Sequence, residues 1–189
     1  MRPAVFLDRD GTLIEERGYI DRLDMLTPFP WTADAVRLIN QAGYAAVVIT
    51  NQAAIGRGII DESFLSQVHG LLDERLALGD ACIDRYYYCP HHPDAALEQF
   101  RQVCRCRKPG PGMIEQACRE MGLDPKRSVM VGDRWLDVRA GQAAGTRSVL
   151  LRTGHGAHEV DSPPDDVQAD AILNNLMEAV GWILRTSPR

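Results

Sequence analysis

Two aspartates, spaced two residues apart, follow the first apolar run of the sequence. Residues 4–7 are apolar, and Asp8, Asp10 and Gly11 come directly after them. An aspartate can attack phosphorus and form an aspartyl-phosphate, which divides one difficult step into two easier ones. A second carboxylate nearby can protonate the leaving oxygen and later deprotonate water. The spacing therefore predicts Asp8 as a nucleophile and Asp10 as its acid/base partner.

Polar residues also follow the second and fourth apolar runs, at 45–49 and 128–131. Two cationic residues precede the predicted helix that leads to the fourth run. Ligand sites of parallel α/β sheets lie beyond the carboxyl ends of the strands, so we expect these groups in one site. They are Thr50, Asn51, Gln52, Arg107, Lys108, Asp133, Arg134 and Asp137. Thr50 and Lys108 can donate to the equatorial phosphoryl oxygens, where charge accumulates in the transition state.

A cation is expected between the nucleophile and a phosphate, because these two groups repel each other. Mg²⁺ suits the place, since it prefers oxygen ligands and only one or two protein carboxylates. We expect Asp8, Asp10 and Asp133 to hold it, with substrate oxygen, water and a backbone carbonyl completing its shell. Two roles stay open for Asp137: support for Lys108 or the metal, or a plain exposed carboxylate on a helix.

Three of the five cysteines lie within residues 89–106, together with two histidines. Cys89 and Cys104-x-Cys106 supply three thiolates, and either His91 or its neighbour His92 supplies an imidazole. Three thiolates and one imidazole suit tetrahedral Zn²⁺, and a filled set of four ligands indicates a structural rather than a catalytic ion. The other histidines, at positions 69, 155 and 158, are expected at the surface.

Apolar runs alternate with helical patterns along almost the whole chain. Continuous apolar strands separated by helices are typical of a parallel sheet covered on both faces. The sequence predicts an α/β fold, a Rossmann-like three-layer sandwich with a central, mostly parallel sheet and no large cap domain. The 189 residues are expected to form one domain, 1–189, with a zinc-binding loop at about 89–107. We expect loops at 51–60 and 154–168, and a frayed tail at 186–189.

Composition excludes several classes of partner. The chain has 21 Lys and Arg against 26 Asp and Glu, a formal charge of −5, so bulk charge indicates neither nucleic acid nor an anionic membrane as a partner. The sequence contains no run of 18 apolar residues that could span a bilayer. The N-terminal apolar stretch is too short for a signal peptide, and an odd cysteine count argues against a disulfide framework. We expect a cytoplasmic protein, and a monomer.

The residues at the strand ends resemble the haloacid dehalogenase-type phosphatase superfamily. A lone Asp-x-Asp is a weak signal, whereas four motifs in the correct order are specific. The matching motifs are Asp8-x-Asp10-Gly11-Thr12, Thr50-Asn51, Lys108 and Gly132-Asp133-x-x-x-Asp137. The resemblance implies the same roles for Asp8, Asp10, Thr50, Lys108 and Asp133 as the residue chemistry predicts.

Within this superfamily, the chain is similar to the bacterial D,D-heptose 1,7-bisphosphate phosphatases. The similarity is carried by the runs 87–93 and 100–109 and by Gly18-Tyr19. It implies hydrolysis of the 7-phosphate of a small phosphorylated sugar, catalytic Mg²⁺, and structural Zn²⁺ with His91 as the fourth ligand. It also implies a set of substrate-contact positions: Glu16, Arg17, Gly18, Tyr19, Asn51, Gln52, Ala53, Arg107 and Arg134.

Two departures from the family pattern concern the sugar rather than the phosphoryl chemistry. Ala53-Ala54 stands where the family usually has Ser-Gly, and Arg134 stands where Lys is common. The exact sugar and its anomer stay open. Related histidinol-phosphate phosphatases, with a similar zinc loop, offer an alternative substrate. A catalytically silent, zinc-stabilised binding module is the alternative outside the enzymes.

Overall fold

The computed structural model describes residues 1–186 and contains one six-stranded sheet. Its spatial order is β3-β2-β1-β4-β5-β6, and every neighbouring pair is parallel. The strands are β1 (Ala4–Leu7), β2 (Ala45–Asn51), β3 (Arg85–Cys89), β4 (Val129–Gly132), β5 (Arg147–Leu151) and β6 (Ala171–Leu173). The prediction of a central, mostly parallel sheet is confirmed.

Seven α-helices connect and cover the strands in the described part of the chain. They are α1 (Thr32–Gln41), α2 (Ala53–Gly56), α3 (Glu62–Ala77), α4 (Gly112–Met121), α5 (Trp135–Ala143), α6 (Gly156–Glu159) and α7 (Leu176–Thr186). Two of them, α2 and α6, lie in segments that the sequence predicts as loops. A single turn is too short to display a helical period, so the apolar pattern could not reveal them.

Alternate residues of the central strands enter two separate cores. In β1, Val5 and Leu7 pack in a cluster with residues of α1, α3 and α7, whereas Ala4 and Phe6 pack in a second cluster with residues of α4. All four β1 side chains are fully buried because helices cover both faces of the sheet. The Rossmann-like three-layer arrangement is therefore confirmed.

Two helix boundaries have clear local causes. Asp61 accepts a hydrogen bond from the Phe64 amide at 2.7 Å and caps α3, and Gly122 ends α4 with a positive φ of 64°. Helix α7 reaches Thr186, and the rest of the expected frayed tail lies outside the described residues. Within residues 1–186, no helix has the length and apolar character needed to cross a membrane.

Candidate active site

Asp8, Lys108 and Asp133 meet at the carboxyl edge of the sheet. Strand β1 lies between β2 and β4, so the residues that follow these strands are neighbours. Oxygen atoms of Asp8, Asp133 and Asp137 lie within 4.8 Å of one another, and all three residues are buried. The structure thus assembles residues that are far apart in the sequence.

Lys108 lies between two of these carboxylates. Its Nζ is 2.8 Å from Asp8 Oδ1 and 2.6 Å from Asp137 Oδ1, and all three side chains are nearly inaccessible. Burial alone would lower the pKa of Lys108, but the charges of Asp137 and Asp8 outweigh burial and raise that pKa above its usual value. Lys108 is therefore a permanent cation beside Asp8.

Asp137 is buried, so the reading of it as an exposed helical carboxylate is wrong. Its Oδ1 pairs with Lys108, and its Oδ2 accepts a hydrogen bond from the Arg134 amide at 3.0 Å, which caps the start of α5. Gly132 allows this approach, because a Cβ there would lie 2.3 Å from Asp137 Oδ2. Asp137 therefore both holds Lys108 and fixes the helix that follows Asp133.

The site carries more negative than positive charge. Burial is the main cause that raises the pKa of Asp8 to about 7; Asp137 and Asp10 add to it, and Lys108 opposes it. Burial, followed by the charges of Asp8 and Asp137, raises the pKa of Asp133 to about 9. One lysine does not compensate three buried carboxylates, so the donor set favours an additional cation.

Asp133 has one oxygen free for such a cation. Its Oδ2 accepts a hydrogen bond from the His155 amide at 2.7 Å, whereas its buried Oδ1 has no hydrogen-bond partner in residues 1–186. Gly11, with φ of 78°, lies against this carboxylate, and a Cβ there would be 2.1 Å from Oδ2. A hard divalent ion such as Mg²⁺ fits an uncommitted carboxylate oxygen beside Asp8.

The carboxylate of Asp10 points to a different set of partners. Arg9 Nε donates to its Oδ2 at 3.1 Å and Arg9 Nη2 to its Oδ1 at 3.0 Å, while Gln52 Nε2 donates to Oδ2 at 3.1 Å. Gln52 Nε2 also donates to Thr50 Oγ1 at 2.8 Å. Asp137, rather than the carboxylate of Asp10, therefore completes the cluster of acidic groups around Asp8.

A cavity of about 360 Å³ opens above these residues. It is lined by most of the expected substrate-contact positions, with Asp8 and Lys108 among its walls. The lining contact positions are Glu16, Gly18, Tyr19, Asn51, Gln52, Ala53, Arg107 and Arg134. Arg17 is the exception, because its guanidinium pairs with Glu15 at 2.6 Å and does not line the cavity.

Four lining residues were not expected from the sequence: Arg9, Ile20, Leu136 and His155. His155 is exposed, as expected, and it also lines the cavity. It lies four residues after β5, so the strand-end rule that found Asp133 could also have placed it at the site. Ile20 and Leu136 are apolar and carry no chemical signal in the sequence.

Asn51 connects the end of β2 to the segment that carries Lys108. Its Nδ2 donates to the Lys108 carbonyl at 3.1 Å, and the Lys108 amide donates to its Oδ1 at 3.0 Å. These two bonds fix the backbone of Lys108 against the sheet. Asn51 thus acts on the site through Lys108 as well as through its place in the cavity wall.

The side chains of Cys89, His91, Cys104 and Cys106 form a second cluster of possible metal ligands. The sulfur atoms of the three free cysteines are 3.1 to 3.5 Å apart, and His91 Nδ1 is 3.3 Å from Cys106 Sγ. A tetrahedral site with zinc–sulfur bonds of about 2.3 Å places its sulfur atoms about 3.8 Å apart, close to this arrangement. His92 lies outside it and accepts a hydrogen bond from the Asp94 amide.

Arg107 joins the cysteine and histidine cluster to the cavity. Its Nη1 donates to the carbonyl oxygen of His91 at 3.1 Å, and Arg107 itself lines the cavity next to Lys108. Cys106 immediately precedes Arg107 in the sequence. The position of the Arg107 guanidinium therefore depends on how firmly residues 89–106 are held in place.

Comparison with known proteins supports one family. A family model described as HAD-hydrolase-like matches residues 105–179. A protein from Escherichia coli K12 named D-glycero-beta-D-manno-heptose-1,7-bisphosphate 7-phosphatase is 42% identical over 178 residues, 93% of this chain and 91% of the relative. A protein of the same name from Photorhabdus laumondii is 45% identical over 93% of this chain and 92% of its own.

A solved structure agrees with both matches. The D,D-heptose 1,7-bisphosphate phosphatase from B. bronchiseptica, crystallised with magnesium and phosphate, superposes with a TM-score of 0.87 at 27% identity. The superposition covers 98% of this chain and 99% of that one. The chain belongs to the heptose 1,7-bisphosphate phosphatase family of the haloacid dehalogenase-like hydrolases.

Proposed function

We propose that this protein hydrolyses the 7-phosphate of D-glycero-β-D-manno-heptose 1,7-bisphosphate, a phosphoric monoester, in the biosynthesis of heptose precursors of lipopolysaccharide. The observation that carries the proposal is the Asp8 carboxylate held 2.8 Å from Lys108 Nζ in the wall of a cavity of about 360 Å³. Relatives at 42–45% identity that bear this activity in their names support the sugar and the β-anomer.

The reaction proceeds in two steps on Asp8. One carboxylate oxygen of Asp8 attacks phosphorus, the bond from phosphorus to the sugar oxygen breaks, and Asp10 gives its proton to the departing oxygen. Water then attacks the phosphorus of the aspartyl-phosphate, Asp10 takes the proton from that water, and inorganic phosphate leaves. Lys108 and Thr50 donate to the phosphoryl oxygens in both steps.

The residues available for Mg²⁺ are Asp8, Asp133 and Asp10. Asp8 and Asp133 offer carboxylate oxygens, and Asp10 would contribute its main-chain carbonyl, because its carboxylate is bonded to Arg9 and Gln52. When bound, Mg²⁺ neutralises charge between the nucleophile and the phosphoryl oxygens. Three buried carboxylates beside one lysine support this assignment.

The phosphate that is not hydrolysed needs a cation away from Asp8. Arg107 and Arg134 line the cavity and are suited to this contact, since a guanidinium binds phosphate with two parallel hydrogen bonds. Glu16, Gly18, Tyr19, Gln52 and Ala53 form the remaining sugar-facing wall. Arg17 is placed less favourably, because it does not line the cavity.

The remaining features follow from the same site. The Cys89, His91, Cys104 and Cys106 cluster holds structural Zn²⁺, and its free thiols favour a reducing compartment, the cytoplasm. One continuous six-stranded sheet supports a single domain over 1–189, and we propose that the chain acts as a monomer.

A substrate comparison tests the proposal. Phosphate release should be measured from the β- and α-anomers of the heptose bisphosphate and from histidinol phosphate, each with Mg²⁺ and with a chelator. We expect kcat/KM for the β-anomer to exceed that for histidinol phosphate by at least about tenfold, because a site that binds two phosphates discriminates against a substrate with one. It should also exceed the value for the α-anomer, whose 1-phosphate points in a different direction from the sugar ring. Faster turnover of histidinol phosphate would refute the proposed substrate.

Metal binding should depend on pH in a defined direction. The pKa values of Asp8 and Asp133, about 7 and about 9, lie above the ordinary value of 3.8. In the metal-free protein, protonation of these two carboxyl groups stabilises the fold. This stabilisation is complete below about pH 4 and is lost as the pH rises through the two raised pKa values. Mg²⁺ replaces these protons, so it should raise Tm more at about pH 8 than at about pH 5.

The control for this measurement is Asp133→Asn, which removes one ligand charge. The variant should show a smaller Mg²⁺-dependent rise in Tm at about pH 8 than the wild type. An equal rise at both pH values in the wild type would mean that these carboxylates do not hold the ion.

Removal of one thiol tests the zinc assignment. Cys104→Ser should lower the zinc content from about one ion per chain to near zero. It should also raise KM roughly tenfold, because Arg107 loses its fixed partner at His91. The matched control is Cys118→Ser, a half-buried thiol of α4 outside the cluster, which should retain zinc. Full zinc retention in Cys104→Ser would reject the ligand set.

A further inference from the structure

Behind Asp10 lies a group of buried residues that the two-step mechanism does not use. The Arg9 guanidinium, in a residue only 2% exposed, binds both oxygens of Asp10 through Nε and Nη2. Its third nitrogen, Nη1, faces His69 Nε2 at 3.5 Å. His69 belongs to α3 and is buried, contrary to its expected place at the surface.

His69 is neutral where it stands. Burial, followed by the charge of Arg9, lowers the pKa of His69 to about 3. A neutral ring that faces a guanidinium with Nε2 presents a lone pair there and carries its proton on Nδ1. His69 is thus an acceptor for the only Arg9 nitrogen that Asp10 does not bind.

The ring of His69 is itself held by an aromatic stack. The Tyr86 ring of β3 stacks on it, with centroids 4.2 Å apart and planes 14° apart, and the Tyr86 hydroxyl donates to Asp73 Oδ1 at 2.6 Å. Neither His69 nor Tyr86 lines the cavity. His69 of α3 and Tyr86 of β3 are therefore connected to the acid/base residue through Arg9.

We propose that His69 and Arg9 are positioning residues for the acid/base step at Asp10. His69 fixes the guanidinium, and the guanidinium fixes both carboxylate oxygens of Asp10. An arginine side chain has large rotational freedom, which an acceptor on its free side removes. Because proton transfer needs the carboxyl group within hydrogen-bond reach of the departing oxygen, loss of this support should slow the step that needs a proton. The inference rests on the proposed role of Asp10.

Leaving-group dependence separates this role from a purely structural one. An alkyl phosphate has a poor leaving group that requires protonation, whereas p-nitrophenyl phosphate has a good one that requires little. The value of kcat/KM reports the step in which that group departs, so it should be measured for p-nitrophenyl phosphate and for the sugar phosphate that the wild type cleaves fastest. The choice of sugar keeps this test independent of the heptose assignment.

Four variants make the test decisive. His69→Leu fills the space without an acceptor and should lower kcat/KM for the sugar phosphate by about tenfold or more, with at most about a threefold loss for p-nitrophenyl phosphate. His69→Gln keeps an acceptor and should recover most of the loss. Arg9→Lys keeps the charge without the two-bond contact and should repeat the selective loss, even if His69→Leu does not fold. Tyr88→Phe removes the hydrogen bond from Tyr88 of β3 to Glu62 of α3. It should leave the ratio of the kcat/KM values for the two substrates unchanged.

Equal losses on both substrates in His69→Leu and Arg9→Lys would overturn the inference, as would no loss on either. A failure of the heptose assignment would appear in the wild type, as slow turnover of the heptose bisphosphate. A failure of the positioning role would appear only in the variants, as an unchanged ratio of kcat/KM for the sugar phosphate to kcat/KM for p-nitrophenyl phosphate.

Discussion

Asp8→Asn should abolish turnover, with a fall in kcat of at least about 10⁴-fold, because an amide cannot form the aspartyl-phosphate. The change keeps the shape of the side chain and removes one of three buried negative charges. Lys108 keeps its contact with Asp137, so the variant should remain folded. Phosphate release in a single turnover, together with acid-quench trapping of the phosphorylated enzyme, measures the loss and its cause.

The matched control is Asp10→Asn, which keeps the nucleophile and removes the acid/base group. It should lower kcat by about 10²–10⁴-fold, yet still yield a trapped phosphoenzyme from p-nitrophenyl phosphate, whose leaving group needs little protonation. If Asp8→Asn kept wild-type turnover, or if Asp10→Asn formed no phosphoenzyme from any substrate, the assigned division of roles would be wrong.

Lys108→Met should have the second largest effect, and on two quantities at once. Loss of the ammonium removes a donor to the phosphoryl oxygens, which should lower kcat/KM by about 10²–10³-fold. It also leaves Asp8 and Asp137 buried without their cation, since Lys108 Nζ lies within 2.8 Å of both. The free energy of unfolding should fall by about 3–5 kcal/mol near neutral pH. Phosphate release and denaturant unfolding of the same preparation measure the two effects.

A double variant separates the stability effect from the catalytic one. Lys108→Met combined with Asp137→Asn removes the lysine together with one of its two carboxylates, so much of the lost stability should return. Activity should stay low, because the ammonium is still absent. Recovery of activity in the double variant would show that Lys108 serves only to balance Asp137 and contributes nothing to phosphoryl transfer.

The two predictions depend on one property of the site. Asp8 attacks as a carboxylate, yet burial and the neighbouring carboxylates raise its pKa to about 7. Lys108, at 2.8 Å, opposes this rise, and a bound divalent ion would oppose it further. Nucleophile, lysine and metal are therefore coupled, and removal of any one of them changes the charge balance for the other two.

Several features of the fold and the site are predictable from local patterns. Continuous apolar runs such as 45–49 become buried parallel strands, because helices on both faces of a parallel sheet cover every side chain of such a run. Residues that follow those runs must then share one edge of the sheet. Asp8 and Asp133 could be brought together from the sequence for that reason, and Lys108 was added to them from its place before the helix that leads to β4. The cluster of three cysteines and one histidine could also be predicted, since it depends on residue type and short spacing.

The tertiary structure decided how the charged groups pair. From the sequence, Asp10 was expected beside Asp8 at the metal, the role of Asp137 was left open, and His69 was expected at the surface. In the fold, Asp137 pairs with Lys108 and Asp10 pairs with Arg9. His69 Nε2 accepts from the remaining guanidinium nitrogen, Nη1, of that arginine. The sequence likewise did not distinguish Arg17, which pairs with Glu15, from Arg107, which lines the cavity.

The physical reason for this division is range. Burial of an apolar run and the spacing of metal ligands are properties of a few consecutive residues, and they can be found in the sequence itself. The partner of a buried charge depends on helices such as α3 and α5 that pack from distant parts of the chain, so only the folded arrangement determines it.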